Sequence, residues 1–274
     1  MERGGNALPQ IPRHCGWLGM AFSEESFDKE GEAMELFIIR HGQSANNALP
    51  DLRDREVDPP LTGLGKQQAQ LLAEHLATGA TQDWAIDPIS ENSGPYLRKG
   101  FGITSLFCSA MYRSMQTAEP VGRALGLAPQ VWIDIHEQAG MYLDHGGDEG
   151  RVGYPGRTRS EISAEFPSFQ LPAGITEDGW WNQGYEELPA SAGRAIKVSQ
   201  QLQEMAGSEE RVAIITHGGI MDFLLKALLG QLPGEHIRYR HHNTAISRLN
   251  LRPGAPILVR FLNRVDHLAP ELVS

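Results

Sequence analysis

Cysteine is scarce in this sequence. The 274 residues include only Cys15, in a polar leader, and Cys108, in an apolar run. Two isolated thiols provide neither a disulfide framework nor the paired spacing of a metal site. We therefore expect a protein of a reducing compartment, and the cytoplasm is the predicted location.

Long apolar runs are also absent. No run approaches the roughly 20 residues that a helix needs to cross a bilayer. Residues 1–33 mix Gly, Pro, Glu and Asp without periodicity, and they lack the apolar segment and cleavage site of a signal peptide. We expect a protein with no membrane partner, made of a poorly structured N-terminal extension (1–33) and a single α/β domain (34–274).

Positive charge is in deficit as well. The chain has 24 Lys and Arg against 34 Asp and Glu, and its formal net charge is −10. Affinity for a nucleic-acid backbone needs clustered Lys and Arg, so the composition argues against a nucleic-acid partner. A small anionic substrate requires a locally positive pocket.

Short apolar runs alternate with helical patterns along the chain. Strands are predicted at 34–39, 103–108, 130–135 and 211–216, and helices at 62–77, 113–125, 192–205 and 220–229. This alternation predicts a three-layer α/β/α fold with a mostly parallel central sheet. Two later runs, 244–251 and 257–262, are expected to extend the sheet with an antiparallel edge.

Two segments interrupt the alternation and are predicted insertions. The first covers about 78–102, and the second, an inserted cap segment, covers about 138–187. Such insertions either carry function as a lid or are tolerated surface elaborations. The second contains Trp180 and Trp181, which we expect to anchor it to the core through their buried area.

Each predicted parallel strand ends in polar, reactive residues. They are Arg40 and His41 after the first strand, Ser109 and Arg113 after the second, Glu137 after the third, and Thr216, His217, Gly218 and Gly219 after the fourth. Because the carboxyl ends of parallel strands lie along one edge of a sheet, we expect these groups to converge.

The converging groups indicate phosphoryl transfer. Two guanidiniums and two imidazoles form a cradle for a dianion, and the planar fork of Arg suits phosphate. An imidazole nitrogen can attack phosphorus and carry the phosphoryl group covalently. A nearby carboxylic acid can protonate the leaving alcohol and then accept a proton from water. This chemistry needs neither a metal nor a cofactor.

At these residues the sequence resembles the histidine phosphatase superfamily, which contains the cofactor-dependent phosphoglycerate mutases. The resemblance covers about 34–250. It is carried by the following residues, which occur in the family's order: Arg40-His41-Gly42-Gln43-Ser44 with Asn47, Pro60-Leu61-Thr62 with Gly65 and Gln68-Ala69, Ser109 with Arg113-Ser114 and Gln116-Thr117-Ala118, Glu137, and Thr216-His217-Gly218.

The resemblance implies a role for each matching residue and a phosphoglycerate-mutase-like fold. His41 is the implied nucleophile and Glu137 the implied proton donor. Arg40, Arg113 and His217 are implied to hold the phosphoryl oxygens. The implied substrate-binding residues are Asn47, Gln43 and Gly218, and no metal ligand is implied. Dimers that pair sheet edges are common in this fold, which makes a homodimer one expectation.

Several residues also have a plainer interpretation. Arg113 could pair with Glu119 on a helix surface. His217 could be a hydrogen-bonded core histidine. Asp134 and Asp144 compete with Glu137 for the role of the acid.

The other histidines and arginines are expected to be structural or superficial. His241 and His242 are neighbours and should point to different sides of a strand, which argues against a shared metal. Arg151, Arg157 and Arg159 could form a second anion site, but we expect them to pair with nearby acids (Asp148, Glu149 and Glu161).

Two loops favour a phosphatase over a mutase. Phosphoglycerate mutases typically carry Gly-Trp in the loop after the first motif and Tyr-Gly just past the acid, whereas this chain has Leu49–Arg55 and Gln138–Tyr142 there. The predicted function is therefore metal-independent hydrolysis of a small phosphorylated metabolite, a phosphomonoesterase of the histidine acid type. The alternatives are a phosphoglycerate-mutase-type phosphotransferase and, ranked lower, an inactive binding protein of the same fold.

Overall fold

Runs rich in Ile, Leu, Val and Phe form the central strands. The computed structural model of the protein describes residues 33–84 and 95–274, so the predicted extension lies almost wholly outside the described residues. The strands are β1 (Met34–Arg40), β2 (Ala80–Trp84), β3 (Pro95–Lys99), β4 (Ser105–Cys108), β5 (Gln130–Val131), β6 (Tyr142–Asp144), β7 (Arg151–Gly153), β8 (Arg211–Thr216), β9 (Ile246–Leu251) and β10 (Leu258–Arg264).

The described residues contain six helices, and the four longest follow the predicted amphipathic patterns. The six are α1 (Ala45–Ala48), α2 (Gly63–Thr78), α3 (Tyr112–Leu125), α4 (Arg159–Glu165), α5 (Leu188–Glu204) and α6 (Gly218–Leu228). Thr62 caps α2 by accepting a hydrogen bond from the backbone of Gly65, and Gly126 ends α3 in the left-handed conformation.

The central sheet has six strands in the order β10-β9-β1-β8-β4-β5. β1, β8, β4 and β5 are parallel neighbours, whereas β9 is antiparallel to β1, and β10 to β9. The predicted mostly parallel sheet with an antiparallel edge is confirmed.

Helices cover the sheet on two faces, as the nearly all-apolar β1 requires. Phe37 and Ile39 point into one buried cluster, which includes side chains of α2 and α3. Leu36 and Ile38 alternate with them and point into a second cluster, which includes side chains of α5 and α6. The predicted three-layer architecture follows from this alternation.

The predicted third strand is wrong in its length. Only Gln130–Val131 pair with β4, and Ile133–Ile135 form a short 3₁₀ helix. The Thr216 hydroxyl donates a 2.7 Å hydrogen bond to the carbonyl of Ile135, which ties this turn to the end of β8. The turn brings Glu137 to the carboxyl ends of the neighbouring strands.

Both predicted insertions contain small antiparallel pairs. The first contains the pair β2–β3, and the second contains β6–β7 and the helix α4. Trp180 and Trp181 are buried, 5% and 4% exposed, and belong to the main apolar cluster. They act as the predicted anchors of the second insertion.

The predicted partners of the three insertion arginines are wrong. Arg151 pairs with Asp144 and Arg157 with Glu165, while Arg159 donates to backbone carbonyls. These contacts depend on how the insertion folds back on itself. The order of acidic residues in the sequence does not predict that fold. Among the helices of the described residues, none has the length and apolar character to span a membrane.

Candidate active site

The register of two adjacent strands brings the two histidines together. Arg40 is level with Thr216 in the parallel pair β1–β8, so His41 and His217 are each the first residue beyond the sheet. Their ring centroids lie 4.9 Å apart, and both side chains are buried. The two histidines therefore lie together at the carboxyl ends of adjacent strands, as the sequence predicts.

The hydrogen bonds of His41 identify its tautomer. Nδ1 lies 2.6 Å from the carbonyl of Gly42, which can only accept, so Nδ1 carries the proton. Burial lowers the pKa of His41 well below its usual range, and the charges of Arg113 and Arg40 lower it further. The ring is therefore neutral at neutral pH, with the lone pair on Nε2.

Arg113 faces that lone pair. It lies in the first turn of α3, and its Nε is 3.2 Å from Nε2 of His41. The guanidinium is buried, and its Nη1 lies 3.7 Å from a carboxylate oxygen of Asp58. Glu119 instead pairs with Arg123, so the surface interpretation of Arg113 is wrong.

Arg40 lies against the N-terminus of α6. Its Nη1 donates a 2.6 Å hydrogen bond to the carbonyl of His241, while its Nε has no hydrogen-bond partner within the described part of the chain. A Cβ on Gly218 would lie 3.4 Å from that Nε. This is an ordinary contact distance, so the guanidinium packs directly against the start of the helix.

His217 is held through one nitrogen. Its Nε2 lies 2.5 Å from the hydroxyl of Ser109, whereas its buried Nδ1 has no partner among residues 33–84 and 95–274. Burial, followed by the nearby charge of Arg113, lowers the pKa of His217 well below its usual range. A buried polar atom without a partner is costly, so Nδ1 is suited to a ligand.

Glu137 caps helix α6. Its carboxylate accepts hydrogen bonds from the backbone N–H groups of Gly219 (3.3 Å) and Ile220 (3.0 Å). These hydrogen bonds hold the Glu137 side chain at the first turn of the helix. The competing acids are occupied elsewhere, because Asp134 pairs with Lys197 and Asp144 with Arg151.

A cavity of about 270 Å³ opens beside these groups. Arg113 and Glu137 line it together with Arg55, Tyr142 and Tyr185. The cavity is therefore lined by a buried cation, a carboxylate and two tyrosines of the second insertion.

Comparison with known proteins identifies the family. Residues 36–86 and 90–264 match the histidine phosphatase superfamily (branch 1). This chain belongs to that superfamily.

Curated relatives carry both phosphatase and mutase names. A probable phosphoglycerate mutase GpmB of Yersinia enterocolitica is 24% identical over 219 residues, which are 79% of this chain and 85% of that protein. The glucosyl-3-phosphoglycerate phosphatase of Mycolicibacterium vanbaalenii is 27% identical over 201 residues, 71% of this chain and 74% of that one. The PE-PGRS family protein PE_PGRS11 of Mycobacterium tuberculosis is 34% identical over 115 residues, but these are 42% of this chain and only 16% of that protein.

A solved structure confirms the phosphoglycerate-mutase-like fold. The phosphoserine phosphatase of Entamoeba histolytica, in complex with 3-phosphoglyceric acid, aligns with a TM-score of 0.53 at 17% identity. The alignment covers 86% of this chain and 100% of that chain.

Two predicted substrate-binding residues, Gln43 and Asn47, form hydrogen bonds with other side chains of the protein. The side-chain oxygen of Gln43 accepts a 2.7 Å hydrogen bond from Thr62. The side-chain oxygen of Asn47 accepts from Ser44 and from Asn243. Contact of Gln43 or Asn47 with substrate stays a prediction.

Sequence reasoning missed three residues that support the site. Asp58 accepts a hydrogen bond from the backbone of Tyr112 next to Arg113, and Asn243 donates 2.9 Å to the carbonyl of His41. Arg194 donates to the carbonyls of Asp134 and His136 and pairs with Glu186. Of these three residues, only Asp58 could have been found from the sequence. It stands just before Pro59-Pro60, in a loop that joins two motifs.

Asp58 makes the stability of the protein depend on pH. Burial raises its pKa to about 6, against the opposing attraction of Arg113. The raised value means that the folded state binds more protons than the unfolded state between about pH 4 and 6, so protonation stabilises the fold as the pH falls through 6. On lowering the pH from 7.5 to 4.5, we expect wild type to gain on the order of 2 kcal/mol relative to Asp58→Asn. Urea unfolding of both proteins at the two pH values measures the difference, and parallel pH dependence would contradict it.

Proposed function

We propose that this protein hydrolyses a small phosphomonoester through a phosphohistidine on His41, without a metal. The observation that carries the proposal is the state of His41: a buried, neutral ring with its Nε2 lone pair beside Arg113 and next to His217. A neutral nitrogen can attack phosphorus, and the surrounding cations suit a phosphoryl dianion.

In the first step, Nε2 of His41 forms a bond to phosphorus while the ester P–O bond breaks. Arg40, Arg113 and the free Nδ1 of His217 hold the phosphoryl oxygens and stabilise the charge of the transition state. Glu137, in its protonated form, gives its proton to the leaving oxygen and releases an alcohol.

In the second step, water takes the place of the alcohol. Glu137, now a carboxylate, accepts a proton from the water as its oxygen attacks phosphorus. The P–N bond breaks, inorganic phosphate leaves, and His41 returns to its neutral form.

The metal-free part of the proposal rests on the donor set. No group of three or more His, Cys, Asp or Glu side chains among the described residues is placed to hold a metal ion. His241 is buried and His242 exposed, so the two adjacent histidines do not share a site. Turnover is expected to be unchanged by EDTA, and loss of activity that zinc or magnesium restores would reject this part.

A mutase is the second candidate because several relatives carry that name. The two loop sequences that depart from the mutases favour hydrolysis. With 3-phosphoglycerate as substrate, release of inorganic phosphate without 2-phosphoglycerate supports the phosphatase, whereas 2-phosphoglycerate formation supports the mutase. A panel of sugar phosphates, phosphorylated acids, nucleotides and phosphoprotein then ranks substrates, and no turnover of any of them would favour an inactive binding protein.

Gly219 gives a further test of the proposed acid. A Cβ at this position would lie 2.7 Å from Oε1 of Glu137 and 2.5 Å from the side-chain oxygen of Gln138. Gly219→Ala should push the carboxylate off the backbone N–H groups of Gly219 and Ile220 and lower kcat for an alkyl phosphate by at least about tenfold.

The matched control for Gly219→Ala is Gly193→Ala. Gly193 lies on an exposed position of α5 where a Cβ meets nothing within 4 Å, so this change should leave kcat intact. Full activity in Gly219→Ala would show that the Glu137 carboxylate does not need its position at the end of α6.

A further inference from the structure

Arg55 lies where the leaving alcohol would be held, an inference that rests on the proposed function. If Glu137 protonates the leaving oxygen, the rest of the alcohol must extend into the cavity that Glu137 lines. Arg55 lines that cavity, together with Tyr142 and Tyr185. Its side chain is therefore placed to contact the part of the substrate that is not phosphate.

Among residues 33–84 and 95–274, no acidic side chain neutralises the charge of Arg55. No carboxylate of the described residues lies within ion-pair distance of Arg55, whereas two comparable exposed arginines, Arg53 and Arg151, are paired with Asp51 and Asp144. Arg55 also stands close enough to Arg113 that its charge, after burial, helps to lower the pKa of that group. The cavity thus carries a second cation besides the one at the nucleophile.

The loop that carries Arg55 is fixed directly after this residue by two sets of contacts. The side chain of Asn46 exchanges two hydrogen bonds with the backbone of Glu56, at 2.8 and 3.0 Å. Two residues further on, Asp58 accepts from the backbone of Tyr112. The backbone next to Arg55 is therefore held in place before a ligand binds, which lowers the entropic cost of binding.

The opposite wall comes from the second insertion. The guanidinium carbon of Arg55 lies 5.9 Å from the ring centroid of Tyr142, and the ring of Tyr142 meets that of Tyr185 edge to face at 4.8 Å. With a volume of about 270 Å³, the cavity is at the small end for ligand sites. A cavity of this size fits a short alcohol with a polar end.

We propose that Arg55 binds a carboxylate on the leaving alcohol, so that the substrates are phosphate monoesters of small hydroxy acids. One guanidinium neutralises one negative charge, and its planar fork matches the two oxygens of a carboxylate. A second phosphate would call for more donors, as the two arginines of the catalytic cradle illustrate. The tyrosine wall limits the length of the acid.

Two esters that differ only in the carboxylate test this subsite. 3-Phosphoglycerate and glycerol 3-phosphate share a three-carbon chain, but the second has a hydroxymethyl group in place of the carboxylate. We expect Arg55→Gln to lower kcat/KM by about 10- to 100-fold for 3-phosphoglycerate and by less than about threefold for glycerol 3-phosphate. Arg53→Gln, two residues away and outside the cavity lining, is the matched control and should change neither value.

The remaining outcomes separate the subsite from the proposed function. An equal fall for both esters, no fall for either, or a wild-type preference for glycerol 3-phosphate would overturn the role of Arg55 while leaving the phosphatase intact. Absence of phosphate release by the wild-type protein from every ester would reject the proposed function and the subsite together.

Discussion

Replacing His41 by alanine is expected to abolish turnover, lowering kcat for phosphate release by at least about 10³-fold. The reason is that no other nitrogen can take the place of Nε2: His217 is fixed by Ser109 through one ring nitrogen, and its other nitrogen is proposed to hold a phosphoryl oxygen. Steady-state release of phosphate from 4-nitrophenyl phosphate gives the size of the effect.

The covalent intermediate provides a second readout of the same prediction. Wild-type protein mixed with substrate and quenched in base should retain phosphate on His41, whereas an acid quench should retain little, because phosphohistidine is labile in acid. His145→Ala, an exposed histidine of the second insertion, should keep full activity and labelling. Normal turnover by a folded His41→Ala protein would show that the mechanism is wrong.

Glu137→Gln is expected to separate substrates by their leaving groups. Gln keeps the size of the side chain but has no acidic proton, so alkyl phosphates, whose alkoxide must be protonated, should lose about 10²- to 10³-fold in kcat/KM, which reports the first step. 4-Nitrophenyl phosphate should lose less than about tenfold, since nitrophenolate leaves without a proton. The comparison uses kcat/KM for both classes of ester on the same preparations, because the second step, in which Glu137 acts as a base, is the same for every ester.

Asp134→Asn and Asp144→Asn are the controls for Glu137, since both acids competed for the role on sequence grounds. Their side chains pair with Lys197 and Arg151 and do not line the cavity, so neither change should depend on the leaving group. Equal losses for alkyl and aryl phosphates in Glu137→Gln would remove it as the acid, and a selective loss in Asp134→Asn or Asp144→Asn would reassign the role.

The predicted strands and helices agree with the structure where their sequence pattern is local. A mostly apolar run such as Met34–Arg40 is typical of a strand buried on both faces, and Thr62 with the apolar stripe that follows it is typical of the start of an amphipathic helix. The third strand failed because its length depends on a neighbour: β5 pairs with β4 along two residues, and the chain then turns toward Thr216.

Local patterns of this kind could not predict the residues that support the site. Asn243 contacts the backbone of His41 from 202 positions away, and Arg194 holds the turn before Glu137 from 58 and 60 positions away. A polar residue in a loop has the same local pattern whether it faces water or a buried carbonyl. The contact appears only when the chain has folded.

By itself, the sequence determined the α/β class, the order of the strands' reactive ends and the superfamily, because short apolar runs and the residues that end them are local features of the chain. Only the tertiary structure decided which groups face one another: the β1–β8 register that sets His41 beside His217, the pairing of Arg113 with Asp58, and the capping of α6 by Glu137. These are contacts between distant segments, fixed by strand register and close packing, which no local pattern encodes.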